Sequence, residues 1–300
     1  MSSKPSTRLY VLLARKAPVG VVFRRGPSKQ VLLLSWNTET HEVRKGQWLK
    51  GRLYERRCDL SPSGEKLIYF AANQRQPMYS WTAVSRPPFL TALALWPKGD
   101  AWGGGGLFEN ERTIVLNHSP PRTQPAEGFR LPRAITVVAA KGWAGKGEDD
   151  PICSQRLKRD GWVLQQPGRG QENKSGSKIW WQFTQPEIWR KANRRWILEI
   201  RLLGIKETEG PWYVTEHRVL DAAGEVAISL GRSDWADWSR SGEVLVAKEG
   251  RLYRIEMKRD GAAGSPVEVA DLRELRFEEV LTPSEARVWS GRAPRGDLLA

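Results

Sequence analysis

Hydrolytic and metal-assisted chemistry draws first on histidine, cysteine and paired carboxylates, and this chain is sparing with the first two. Its 300 residues hold three histidines, His41, His118 and His217, and two cysteines, Cys58 and Cys153. No H-x-x-x-H or H-E-x-x-H spacing occurs, so a zinc site would need all three histidines to converge from distant points. The better expectation is solvated or hydrogen-bonded histidines at strand ends. No cysteine has a histidine beside it and no G-x-S-x-G is present, so the sequence pairs no nucleophile with a base. Cys58 reads as a small buried apolar residue. Cys153 follows the acidic turn Glu148-Asp149-Asp150-Pro151 and reads as exposed. That acidic run lacks the alternating ligands of a calcium loop and reads as solvated. Gly142-Trp143-Ala144-Gly145-Lys146-Gly147 imitates part of a phosphate loop, without its frame or the Ser/Thr after Lys. These residues imply no catalytic site, no metal and no cofactor.

The strongest functional signal is basic and aromatic. Residues 156–195 contain ten Lys or Arg against three acids, interleaved with Trp162, Trp180, Trp181 and Trp189 and followed by Trp196. Residues 8–57 carry twelve Lys or Arg against three acids. Cations that neutralise phosphates, set among rings that stack on bases, are what single-strand binders need. Trp and Arg are equally the favoured anchors of protein interfaces. The structural alternative is that the tryptophans pack between sheets while arginine stems and guanidinium groups lie over them. The candidate contacts are Trp143, Trp180, Trp181, Trp189, Arg190, Arg194 and Arg195.

Composition bounds these readings. Apolar residues make up 40% and charged residues 27%, which excludes wholesale disorder. No apolar run approaches the roughly 20 residues of a membrane span, and the N-terminal run at 10–14 is too short for a secretory signal. The expected compartment is therefore the cytoplasm, with no membrane partner. The net charge of +14 raises the prior for an acidic partner without choosing one. Fifteen tryptophans need wide places to pack, which sheet faces supply.

The elements that must position these residues are strands. Period-two alternation or short apolar runs recur at 8–14, 19–24, 31–36, 66–71, 113–117, 134–139, 161–165, 179–183, 196–203, 212–218, 225–230, 243–247 and 251–257. Turn residues separate them, as at Ser63-Gly64, Asp160-Gly161, Ala223-Gly224 and Ser241-Gly242. One helix is expected around 186–195, because Pro186 suits a first helical turn.

An internal repeat narrows the architecture. Residues 58–68 align with 236–246 with six of eleven positions identical: Asp59/Asp237, Ser61/Ser239, Ser63/Ser241, Gly64/Gly242, Glu65/Glu243 and Leu67/Leu245. The offset of 178 residues is close to four periods of about 45. Weaker copies read at 94–102 and 157–163. The two firm copies resemble the S-P-D-G-x-x-[LI] signature of TolB-like and WD-like bacterial propeller repeats, with Ser63 and Ser241 where the family usually has Asp. A serine can still bond the turn backbone. The resemblance implies an all-β chain: a β-propeller of five to seven blades, five or six preferred. Residues 1–290 form one domain, with long loop insertions near 119–133 and 141–178 and a loose tail at 291–300. Residues 281–289 are a candidate to complete the first blade. The glycines 103–106 read as a flexible turn or a close backbone approach at the propeller centre. Asp59, Asp100, Asp160 and Asp237 recur near turns and read as structural. The expected function is a non-catalytic scaffold binding another protein. Nucleic-acid binding through the basic, Trp-rich loops is the alternative, and a propeller hydrolase or lyase the second alternative.

Overall fold

The computed structural model describes residues 7–26, 29–118, 123–141, 149–173, 178–258 and 263–289. The described residues are all-β, in five sheets. Sheet I is β1 (Arg8–Leu13), β2 (Val19–Arg25), β3 (Gln30–Asn37) and β4 (Val43–Lys50), paired in that order. Sheet II holds β5 (Arg52–Leu53), β6 (Asp59–Leu60), β7 (Leu67–Ala72), β8 (Ser80–Ser85) and β9 (Ala94–Pro97). Sheet III is β10 (Gly106–Phe108), β11 (Thr113–Leu116) and β12 (Thr136–Ala139), the last parallel to β11. Helix α1 (Ile152–Arg159) precedes sheet IV. Sheet IV holds β13 (Val163–Gln166), β14 (Arg169–Glu172), β15 (Ile179–Asn193), β16 (Trp196–Glu207), β17 (Tyr213–Leu220) and β18 (Val226–Arg232). Sheet V is β19 (Trp235–Trp238), β20 (Val244–Lys248), β21 (Arg251–Ile255) and β22 (Val267–Asp271). Among the described residues no helix is long and apolar enough to cross a membrane.

The apolar runs dictate how the sheets stack. A strand buried on both faces cannot alternate, and β2 and β3 do not. Val21, Phe23 and Leu33 pack against Leu53, Leu60 and Leu67 of sheet II. Val22, Leu32 and Leu34 face the other way, onto Leu245, Ala247 and Leu252 of sheet V. Ile68, Val84 and Trp96 join sheet II to Phe108 and Ile114 of sheet III. Trp189, Trp196 and Leu198 join sheet IV to Ala236, Trp238 and Val244 of sheet V. Between sheets III and IV the packing partner is α1, which touches both β10 and β13. Carboxylates reinforce two of these junctions. Asp59 Oδ2 accepts from Phe108 N at 2.7 Å across II and III, and Asp234 Oδ2 accepts from Leu9 N at 3.0 Å across V and I.

The two firm repeat copies are both hairpins, β6–β7 and β19–β20, but their registers differ by one residue: Asp59 pairs with Ile68, whereas Asp237 pairs with Leu245, the match of Leu67. In each, the first serine carries the turn: Ser61 Oγ accepts from Lys66 N at 3.0 Å, and Ser239 Oγ from Glu243 N at 2.9 Å. Gly64 and Gly242 take φ of 82° and 92°, the left-handed region that favours glycine. Ser63 does bond the turn backbone, accepting from Glu65 N at 3.3 Å. The weaker copies are not equivalent. Residues 94–97 form the outer strand of sheet II, and 157–159 belong to α1. Turn chemistry alone made them look alike.

All thirteen strand expectations coincide with strands, but the helix around 186–195 is a correction. Those residues continue β15 and turn at Arg194, whose φ is 55°. Pro186 is tolerated because it sits where the β15–β16 register shifts, between Gln182 and Glu187, and no ladder donor is needed there. The helix lies instead in the segment read as a loop insertion, with an acidic turn before it and Arg156, Lys158 and Arg159 in its last turn. Residues 281–289 form no strand. The segment from Leu272 runs over the outside of sheets I to III. Arg24 holds the carbonyls of Leu272 and Arg273 at 2.9 and 2.7 Å, Gln47 Nε2 reaches Val280 O at 3.4 Å, and Thr91 meets Thr282 at 2.5 Å. Trp289 ends the segment against the core between sheets II and III.

Candidate ligand-binding cavity

A cavity of about 890 Å³ lies among sheets I, II, IV and V and α1. Ten basic side chains line it, against seven acidic ones. Six of the ten come from the first basic stretch: Arg8, Arg15, Arg25, Arg52, Arg56 and Arg57. Three more, Arg156, Arg159 and Lys191, come from the second. Two stretches a hundred residues apart in sequence thus meet at one wall. β1 runs along the cavity from Arg8 at one end to Arg15 just past its other, a span of about 20 Å.

At the Arg15 end most of the charges are paired internally, although Arg15 has no carboxylate partner and its buried Nε finds no acceptor among the described residues. Arg159 forks onto Asp59 at 2.6 and 2.9 Å and onto Asp160 at 2.8 Å. Arg15 donates to the carbonyls of Phe108 and Glu109 at 2.8 and 3.1 Å. Lys191 pairs with Asp237 at 2.7 Å. Asp59 and Asp237, the matching aspartates of the repeat, are therefore both tied to a cation from a neighbouring element.

The Arg8 end carries a surplus. Arg8, Arg25, Arg52, Arg56, Arg57 and Arg156 face three carboxylates, Glu55, Asp149 and Asp234. Arg25 pairs with Glu55 at 2.7 Å. Asp149 serves Arg56 and Arg57, at 3.3 and 3.2 Å, and also accepts the Tyr213 hydroxyl. Arg56 lies 3.9 Å over the Tyr213 ring, yet its buried Nε finds no aligned acceptor. Arg156 is buried with only neutral hydrogen-bond partners: the Cys58, Glu55 and Arg56 carbonyls, and the Tyr10 hydroxyl at 2.5 Å. The Arg8 side chain makes no hydrogen bond among the described residues. Burial presses its guanidinium below the ordinary value, Asp234 opposes that shift, and the like charge of Arg25 adds to it. Asp234 is itself pushed up to about 6 by burial. An isolated buried charge is costly, so this end favours an added anion.

The structure disperses the residues singled out from sequence. Trp189 is buried between sheets IV and V with Nε1 on Glu187 at 2.8 Å. Arg190 pairs with the buried Glu199 at 2.7 Å. Trp180 and Trp181 lie together, ring centroids 6.1 Å apart, near one end of β15. Arg194 and Arg195 form the turn at its other end, and Arg195 lies 5.1 Å from the Trp196 ring. Trp143 and the glycine-rich run around it lie outside the described residues. Three further readings are corrected. Cys153 is buried on α1, because the helix turns it inward. Asp149 is drawn in from a supposedly solvated loop by two arginines. His217 is mid-strand and buried, its Nδ1 2.8 Å from Ser233 Oγ. Cys58 is buried as expected, and burial pushes its thiol well up. The glycines make a close approach: Arg57 donates to the Ala101 and Gly103 carbonyls at 2.7 and 2.6 Å. Among the described residues no three of His, Cys, Asp and Glu form a metal-ligand set. Tyr10, Asp149, Arg156 and Asp234 escaped sequence reading because their roles arise only where distant segments meet.

Burial lowers the His217 pKa to about 3. On acidification the unfolded chain protonates this residue near its usual 6.5, while the folded chain resists until about 3. Stability therefore falls as pH drops through that window, by at most about 1.4 kcal/mol per pH unit. Asp234, favouring its protonated form, acts in the opposite sense between the ordinary carboxylate value and about 6. The His217→Gln variant isolates the histidine. Its urea midpoint should drop less than the parent's between pH 7 and pH 4.5. Equal drops would show that His217 takes up its proton without penalty.

No family model matches the chain, and no curated protein does. Among solved structures the chain is similar to an uncharacterized protein, lmo1340, from Listeria monocytogenes EGD-e. The identity is 10%, covering 91% of this chain and 85% of that one, with a TM-score of 0.30.

Proposed function

We propose that the chain is a five-bladed β-propeller of the TolB-like or WD-like kind that works by binding a small anionic ligand in its axial cavity. Five sheets, four of them wholly antiparallel, support the architecture, as do the two repeat hairpins. α1 substitutes for direct contact between sheets III and IV. The observation that carries the ligand reading is the uncompensated guanidinium surplus at the Arg8 end of an 890 Å³ cavity. Cavities of about 300–1,000 Å³ suit small organic ligands. Binding is favoured over catalysis because Asp59, Asp160 and Asp237 are held in ion pairs.

The test is a set of thermal melts with small anions, phosphate, dicarboxylates and nucleotides, against neutral sugars at matched ionic strength. A true ligand at 100 times its Kd stabilises by about 2.7 kcal/mol. At least one anion should raise Tm in the parent and fail to do so in Arg8→Ala. If no anion raises Tm, or the variant responds as the parent does, the reading is wrong.

A protein-binding role is the second reading, and exposed rings favour it. Trp180 and Trp212 are 46% and 41% exposed, and they flank Lys206, which sits 5.6 Å from the Trp180 ring and donates its backbone N–H to Trp212 O. Such a role requires a stoichiometric partner that survives nuclease and is lost with Trp180→Ala plus Trp212→Ala. Loss on nuclease treatment alone would point to nucleic acid.

A further inference from the structure

Resting on the reading of the cavity as an anion site, we infer that its ligand is a phosphomonoester on a carrier with a planar ring, the phosphate seated between Arg8, Arg56 and Tyr10. Three features narrow the chemistry. The first is charge. With Arg52 exposed to water, five guanidiniums against three carboxylates leave a surplus of two at this end, which a dianion balances better than a monoanion does. The second is direction. The donors come from three separate elements: Arg8 and Tyr10 from β1, Arg56 from the 3-10 turn Glu55–Arg57, and Arg156 from α1. A planar carboxylate matches the fork of one guanidinium. A tetrahedral group offers three terminal oxygens in different directions and suits donors converging from several sides.

The third is the state of the donors. Tyr10 Oη accepts from Arg156 at 2.5 Å and donates to nothing among the described residues, so its proton is available to a ligand. Burial raises the Tyr10 pKa, which keeps it protonated. The Arg56 Nε–H lies 3.3 Å from Asp149 Oδ2 but is not aligned to it as a hydrogen bond. Aromatic side chains also line the cavity: the Tyr54 and Tyr213 rings are already covered by Arg57 and Arg56, and Trp235 is buried between sheets I and V, but Trp212 is 41% exposed. A bare phosphate would leave most of the 890 Å³ to water, whereas a ring on the phosphate can stack against Trp212.

Calorimetric titrations with adenosine and uridine 5′-monophosphates, their nucleosides, inorganic phosphate and succinate test this. At least one monophosphate should bind at least tenfold more tightly than its nucleoside, inorganic phosphate or succinate. Each of Arg8→Gln, Arg56→Gln and Tyr10→Phe should weaken it by roughly 10- to 100-fold, as loss of a charge-assisted bond does. Arg44→Ala, which lies outside the cavity and pairs with Glu42 on the surface, should bind as the parent does. Circular-dichroism melts of every variant separate lost binding from lost folding, and Tyr10→Phe removes a single oxygen. Succinate binding without monophosphate binding overturns the phosphomonoester and leaves the anion site standing. Failure of every anion overturns both. Monophosphate binding that none of the folded variants weakens places the ligand elsewhere and overturns the assignment.

Discussion

Gly105→Ala is expected to leave no folded protein at 25 °C. Gly105 has φ of 77°, and a Cβ built on it falls 2.0 Å from the Arg57 carbonyl oxygen. That oxygen is backbone and cannot swing aside. The loop is pinned on both sides: Gly105 N donates to Thr82 Oγ1 at 2.8 Å, and Asn117 N donates to Gly105 O at 2.9 Å. Any shift large enough to admit a methyl group must break these bonds and move Arg57, whose guanidinium ties the same loop to Asp149. A left-handed alanine alone costs about 1–2 kcal/mol; with the clash and the broken bonds, the total should exceed about 4 kcal/mol, a large part of a typical domain's stability. Gly99→Ala is the matched control. It has φ of 82° but nothing within 4 Å of the built Cβ, so it should lower Tm by only a few degrees, for a cost of about 1–2 kcal/mol. Should the two alanine variants melt within about 3 °C of each other, backbone conformation and not close approach is what these glycines serve.

The glycine run shows which part of the structure was legible in advance. A Gly-Gly-Gly-Gly run points to unusual backbone angles or a close approach, because these are what a missing Cβ permits. The sequence holds no word for the approaching partner, since Arg57 lies 48 residues earlier. The strands followed the same division. Apolar runs such as 31–36 and alternation such as 251–257 mark local structure, and every segment so marked is a strand. Among the strands missed, β4 and β8 escaped because their residues, Val-Arg-Lys-Gly-Gln-Trp-Leu-Lys and Ser-Trp-Thr-Ala-Val-Ser, carry weak apolar patterning and are held by their neighbours, whereas β22, Val-Glu-Val-Ala-Asp, does alternate. Residues 186–195 misled because Pro186 was weighed by its helix-start preference, whereas the register shift in β15 satisfied it. The site was half legible. Both basic stretches are conspicuous in the sequence. Their meeting point depends on sheet order, which no local pattern encodes.

Arg190 is where the two views of this chain diverge most, and Glu199→Ala decides between them. As an exposed arginine in a basic, tryptophan-rich stretch, Arg190 looks like an interaction residue. In the fold it is one arm of a cross-strand brace. Glu199 lies on β16, fully buried, directly opposite Arg190 on β15 and Arg218 on β17. Its two oxygens accept from Arg190 Nε at 2.7 Å and Arg218 Nε at 2.6 Å, with Arg201 Nε at 3.9 Å. The brace spans three strands of the largest sheet. Deleting the carboxylate leaves Arg190 and Arg218 unpaired around a buried void, while Arg201 keeps Glu216 at 3.6 Å, and breaking a buried pair in this way costs about 3–5 kcal/mol. Arg190 is 35% exposed, so water can stand in for much of what it loses. Arg190→Ala should therefore cost only about 1–2 kcal/mol. Urea denaturation should rank Glu199→Ala far below Arg218→Ala and Arg190→Ala. In the double variant, removing Arg190 should recover part of the Glu199→Ala loss by relieving repulsion between the stranded cations. If Glu199→Ala instead unfolds at the parent's urea midpoint, the carboxylate is not bracing the sheet, and Arg190 returns to being a surface residue free to meet a partner.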